Sequence, residues 1–250
     1  MPSGSVIDVA VAIRAALRRS ALVYALAGVT LGAAAFVADE VPPAVAQFVT
    51  PLVSSGSAWG LVALVIGYVA WTYRSAAVVA VGVLALSTVT YYALILVVSQ
   101  RWNAGVQPWE VDSAAVSLSG LASVARAMTF WLVASVGAGV FMGWLGQAVR
   151  RGTTRLQSIA SGIAMGFLPG EGTYAIFQIV VLWGGPVDSF HWSRLLSAVV
   201  QVTLAVVVVS VLLWLRRRSI SWWVFVVTAA ASVVAGTTLW HLVASVRMVM

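Results

Sequence analysis

The sequence predicts an all-α, polytopic membrane protein: one bundle of seven transmembrane helices, with its N-terminus cytoplasmic and its C-terminus extracytoplasmic. Three observations predict it. Hydrophobic residues make up 62% of the 250 and charged residues only 8%, outside the range of a soluble domain. Apolar runs of about 20 residues, the length that crosses a bilayer, recur along the chain. The basic residues gather at the ends of those runs.

The first run, 21–38, follows Arg14, Arg18 and Arg19, as a signal peptide would, and Ala33-Ala34-Ala35 offers a small-residue cleavage site. Its length exceeds the roughly 7–15 residues of a signal's apolar core, which favours an uncleaved anchor helix. Arg74 alone divides the second and third runs, 57–73 and 75–98, and so predicts a tight hairpin. The fourth, 128–149, ends at Arg150-Arg151. The fifth, 156–183, is long and carries Pro169-Gly170, so it must tilt or break. The sixth, 195–215, runs into Arg216-Arg217-Arg218, and the seventh covers 222–245.

Two stretches between the runs are polar enough to lie outside them. Residues 39–56 hold Pro42-Pro43 and Pro51 and read as an interfacial or re-entrant element, or as a loop on the bundle. Residues 99–127 start polar and turn small; Asp112 or Ser113 can cap a helix over 114–126. Trp102, Trp109, Trp131, Trp183 and Trp192 map near one interface, as an aromatic belt. Residues 1–250 thus form a single membrane domain.

Charge sets the orientation and removes several function classes. All 14 basic residues are Arg. With the N-terminus inside, ten fall on the cytoplasmic side (Arg14, Arg18, Arg19, Arg74, Arg150, Arg151, Arg155, Arg216, Arg217, Arg218) and four opposite (Arg101, Arg126, Arg194, Arg247). A net charge of +7 placed this way reads as topology rather than as nucleic-acid binding. The lack of Lys excludes a P-loop nucleotide grip and a retinal Schiff base. The lack of Cys excludes disulfides and thiolate metal sites. No metal set, cofactor motif or nucleophile–base pair stands out. Ser161 and His241, the nearest approach to a dyad, sit about 20 Å apart in depth at 1.5 Å per residue.

The fifth run holds the clearest constellation. Gly162, Gly166 and Gly170 recur every four residues and form a face with almost no side chains; Gly139, Gly143 and Gly146 on the fourth run offer a matching one. Pro169 has no N–H for the Met165 carbonyl, so the helix breaks directly before Glu171. Glu171 is an acid near mid-membrane depth, where an ionisable group costs roughly 2.5–3.5 kcal/mol and faces the bundle interior or a water-filled cavity. Polar residues favour the outer half of the spans. Tyr91, Tyr92, Gln178 and Gln201 lead them, and they predict an outward-open polar cavity with Glu171 near its floor.

Ser57-Ala58-Trp59-Gly60 through Gly67-Tyr68, then 76–82 leading to Tyr91-Tyr92, 139–143 with Arg150-Arg151, and Gly170-Glu171 together resemble a family of small actinobacterial membrane proteins of unknown function. The resemblance covers roughly 54–180 and implies a fold and a bacterial plasma-membrane location, with no activity attached. The functional expectation is a transporter-like or small-ligand-binding protein, surrounded by lipid and taking a small solute or ion. The alternative is a non-catalytic scaffold or accessory subunit whose glycine faces bind a partner helix, in a homo- or hetero-oligomer.

Overall fold

The computed structural model describes residues 6–103, 113–216 and 220–247, with side chains over 21–102, 118–216 and 220–246, and every regular element among the described residues is helical. The helices are α1 (Val6–Glu40), α2 (Pro43–Val53), α3 (Gly56–Val69), α4 (Tyr73–Leu94), α5 (Ser113–Arg151), α6 (Thr154–Phe167), α7 (Gly170–Phe177), α8 (Ser189–Arg216) and α9 (Trp222–Arg247). Wider turns extend α4 over Ile95–Ser99 and α7 over Gln178–Leu182. Among the described residues, six stretches are long and apolar enough to cross a membrane: Ala21–Glu40, Pro43–Val69, Tyr73–Ser99, Leu118–Arg151, Ser189–Arg216 and Trp222–Val246. The pair Thr154–Phe167 and Gly170–Leu182, bent by 45°, raises the number to as many as seven.

Two segments correct the sequence reading. The stretch 39–56 contains α2, and the apolar run that was expected to begin at 57 begins at Pro43. Pro43 opens the helix, where its missing N–H costs nothing. The helix expected over 114–126 is not separate either; α5 runs unbroken for 39 residues. Its apolar part, Leu118–Arg151, is 34 residues, about 20 Å longer than a bilayer core is thick. Of the two expected caps, Ser113 is the first residue of α5, while Asp112, like Trp109 of the aromatic belt, lies outside the described residues.

The hairpin at Arg74 is present. Thr72 accepts from the Ser75 amide while the Ser75 hydroxyl takes the Thr72 amide, a capping box that starts α4 directly after α3. Arg150, read above as a topology charge, also has a local task. Its guanidinium donates to the carbonyls of Tyr68, Val69 and Ala70 at 3.0–3.3 Å, closing the C-terminus of α3. Arg150→Gln is therefore expected to cost about 1–3 kcal/mol, read as a melting temperature lower by several degrees in detergent.

The core lies among α3, α4, α5, α6 and α8, with Leu64, Leu84, Leu145, Ala164 and Val209 buried at its centre. Large apolar side chains such as Val78, Val133, Trp214 and Trp223 point outward, a surface suited to lipid. The two glycine faces do not meet each other as expected. Gly162 and Gly166 lie on Phe225, Thr228 and Ala229 of α9, and Gly170 lies on Gly236. Gly139 and Gly143 lie on Val81 and Ala76 of α4, and Gly146 lies on Leu64 and Tyr68 of α3. Period-four glycines specify that some helix approaches, not which one, and both faces are covered from within the chain.

Candidate functional site

The second apolar stretch and the α6–α7 pair are both interrupted, and the interruptions touch. In the first, α2 ends at Val53 and α3 begins at Gly56. The open groups there find partners: the Ser55 hydroxyl donates to the Pro51 carbonyl (2.7 Å) and accepts from the Ala58 amide (3.1 Å). The Trp59 indole N–H donates to the Val53 carbonyl (2.8 Å). Backbone groups at membrane depth require such partners, because lipid offers none. In the second, Pro169 stops α6, and the Thr173 amide restarts the ladder on the Pro169 carbonyl (2.8 Å).

Two hydrogen bonds join the breaks. The Gly56 amide, first in α3, donates to Glu171 Oε2 at 2.9 Å. The Ser57 hydroxyl donates to the Leu168 carbonyl at 2.7 Å and stands 3.4 Å from Gln201 Oε1. Glu171 thus occupies the first turn of α7 and faces the first turn of α3. Unpaired amides and the positive dipole end make each of these positions complementary to a carboxylate.

Sequence explains how the acid reaches this point. Its neighbours, Gly170 and Gly172, carry no side chain. A Cβ on Gly170 would come within 2.8–3.0 Å of Gly236 backbone on α9, and one on Gly172 within 2.8 Å of the Ala198 carbonyl on α8. The Gly-Glu-Gly triplet lets α7 sit close to both helices, so that Glu171 is the only side chain of the three.

Beside Glu171 lies a cavity of about 290 Å³. It is walled by Thr50 and Ser54 of the α2 end, Tyr174 of α7, Arg194 and Gln201 of α8, and Trp240 of α9, among others. The Trp240 ring lies against Gly56; a Cβ there would come within 2.7 Å of its Cη2.

The expected companions divide. Gln201 lines the cavity. Gln178 stands at its rim, donating to the Tyr174 hydroxyl (2.8 Å) and accepting from Arg194 (3.3 Å). Tyr91 and Tyr92 are elsewhere, and the structure corrects that placement. Tyr92 packs with Phe36 and Ile95, and Tyr91 donates to Asp39 Oδ2 at 2.5 Å. Both lie on α4, which packs on α1 and α5, whereas α7 packs on α8 and α9. Asp39 also accepts from Ser54 (3.1 Å), so the Ser54–Gly56 break is held between two acids, Asp39 on one side and Glu171 on the other.

Comparison with known protein families, curated proteins and solved structures found no match.

Sequence reasoning missed Arg194, Trp240 and the Ser54–Gly56 break. Arg194 was assigned to topology, yet it lines the cavity that holds Glu171, stacked 5.8 Å over the Phe190 ring. Asp188 sets the start of its helix by accepting from the His191 amide (2.9 Å). That backbone hydrogen bond and a second one from the His191 side chain hold the Asp188 carboxyl below its usual range. Other polar residues of the spans stitch helices together instead: Thr173 with Thr237 (2.8 Å) and Thr88 with Ser135 (2.9 Å). His241 meets Tyr174 (3.3 Å) and Ser161 donates to the Gln157 carbonyl (2.7 Å), so these two side chains belong to different clusters.

Proposed function

We propose that this chain is a seven-span protein of the bacterial plasma membrane, N-terminus cytoplasmic, that binds a small solute or ion in the cavity at Glu171 and passes it across. One observation carries the reading: two interrupted apolar helices meet at an acid that borders a cavity. Discontinuous helices whose N-termini face a charged group are how many secondary transporters build their sites near mid-membrane. The lining suits a small solute with a positive group, or a proton, held by Glu171, with hydroxyls and Gln201 giving further hydrogen bonds. Arg194 at the rim favours a solute that carries an acceptor as well. The arginine distribution supports the orientation, and the Arg-only composition supports the bacterial setting.

The test uses protons as the probe. Liposomes containing the purified protein and a trapped pH-sensitive dye are given an external acid pulse. The wild type is expected to acidify the lumen faster than protein-free liposomes, and Glu171→Gln to fall to the protein-free rate. Undiminished uptake by Glu171→Gln would remove Glu171 from the function.

A further inference from the structure

We infer that Gln147 and Gln157 form a buried, uncharged water-binding site at the end of the bundle opposite the Glu171 cavity. Both side chains have 0% exposure. The amide nitrogen and oxygen of each have no hydrogen-bond partner among the described residues. Gln147 stands four residues before the end of α5 and Gln157 three after the start of α6. The two helices pack as a hairpin, so its turn at Gly152-Thr153 sets the two amides level with each other.

Four orphaned amide atoms would cost about 1–3 kcal/mol each, which a folded bundle does not sustain. Buried polar groups in native proteins nearly always have partners, and ordered water is the usual one where protein supplies none. The chemistry of the pair selects the occupant. Two carboxamides carry no net charge and offer donors and acceptors in equal number, which matches water rather than an ion. A fifth orphaned atom, Arg216 Nε, belongs to the same end. The Ser221 amide donates to Ser158 (2.9 Å), and this places the α8–α9 turn beside the start of α6.

The location goes beyond the cavity at Glu171. Gln157 lies 14 residues before Glu171, about 21 Å along the helix rise. Ser161 donates back to the Gln157 carbonyl (2.7 Å), and past it the apolar side chains of Leu61, Leu64, Ala164, Leu168 and Ala205 fill the interior. Water at Gln147 and Gln157 therefore gives the bundle a polar region at each end, separated by this apolar layer. The site is a matter of packing and hydration, and it stands whether or not the protein transports.

Methionine, close to glutamine in volume, tests it. If the amides hold water, Gln147→Met and Gln157→Met each lower the melting temperature in detergent by several degrees. The double variant then loses less than the sum, because both side chains share the same waters. If the amides are simply orphaned, their removal raises the melting temperature or leaves it unchanged, and that result overturns the inference. Wild-type protein in nanodiscs gives a second reading that does not depend on the variants folding. Brief X-ray irradiation in ¹⁸O water, read residue by residue, is expected to label Leu145 and Val149, which lie two residues either side of Gln147 and are buried. A label at these two residues no higher than that at Leu84, also buried, overturns the inference as well.

Discussion

Gly146→Ala is expected to be among the most damaging single methyl additions to this chain. A Cβ at Gly146 would meet three backbone atoms of α3: the Leu64 carbonyl oxygen well inside contact distance, the Tyr68 nitrogen at 2.6 Å and the Gly67 carbonyl carbon at 2.9 Å. Backbone cannot rotate away as a side chain can, so α3 and α5 must separate. Leu64 and Leu145, both fully buried in the core, then lose their packing. Overpacking a core costs typically 1–3 kcal/mol, and a backbone clash belongs at or above the top of that range. Gly82→Ala is the internal control. A Cβ there meets nothing within 4 Å, so removing a helical glycine should stabilise by about 0.5–1 kcal/mol. Unfolding of both variants in one detergent series checks the pair. Equal stabilities would show that α3 and α5 are not in the close contact described. Gly67→Ala faces the Gly143 backbone in the same seam, and its cost should be less than additive with that of Gly146→Ala.

The glycine spacing made close packing legible, but which helix each glycine meets was not, and the same division runs through the site. Hydropathy gives the apolar runs and their ends, so the hairpin at Arg74 and the break at Pro169 could be read from residues alone. It gives depth along a helix but not the direction a side chain takes around it. Tyr91 and Gln201 therefore looked equivalent as partners of Glu171, yet only Gln201 faces it. In 39–56 three prolines, breaker signals on average, leave a short element and a loop equally open. Here Pro43 is the first residue of α2, and the Ser55 hydroxyl takes the Pro51 carbonyl at the end of that helix. The stretch Ser54-Ser55-Gly56-Ser57 held a usable signal: two serines before a glycine mark a helix start. What no local pattern carries is that its four residues reach Asp39, Pro51, Glu171 and Leu168 in turn. Arg194 was hidden by its type, since arginine at a span end already has a sufficient explanation in topology.

Glu171→Ala and Glu171→Gln are expected to differ, and the difference separates folding from function. Alanine removes the acceptor of the Gly56 amide and leaves that N–H unpaired at the break in a half-buried setting. A hydrogen bond to a charged group is worth about 1.5–3 kcal/mol, and the loss of attraction at two helix N-termini adds roughly 0.3–1 kcal/mol each. The alanine variant should therefore unfold at a melting temperature lower by several degrees. Glutamine keeps an oxygen within reach of Gly56 and gives up only the charge, so its cost should be confined to the helix-end contribution. Proton uptake should be lost in both variants. If glutamine instead destabilises as much as alanine, the negative charge is what holds α3 to α7. Loss of transport in that variant would then report a damaged bundle rather than a missing ligand group. The small cost expected for glutamine rests on geometry: the amide that meets Glu171 is one of the four at the start of α3 that lack helical partners, and any well-placed oxygen satisfies it. A proton or a positively charged solute needs the carboxylate itself.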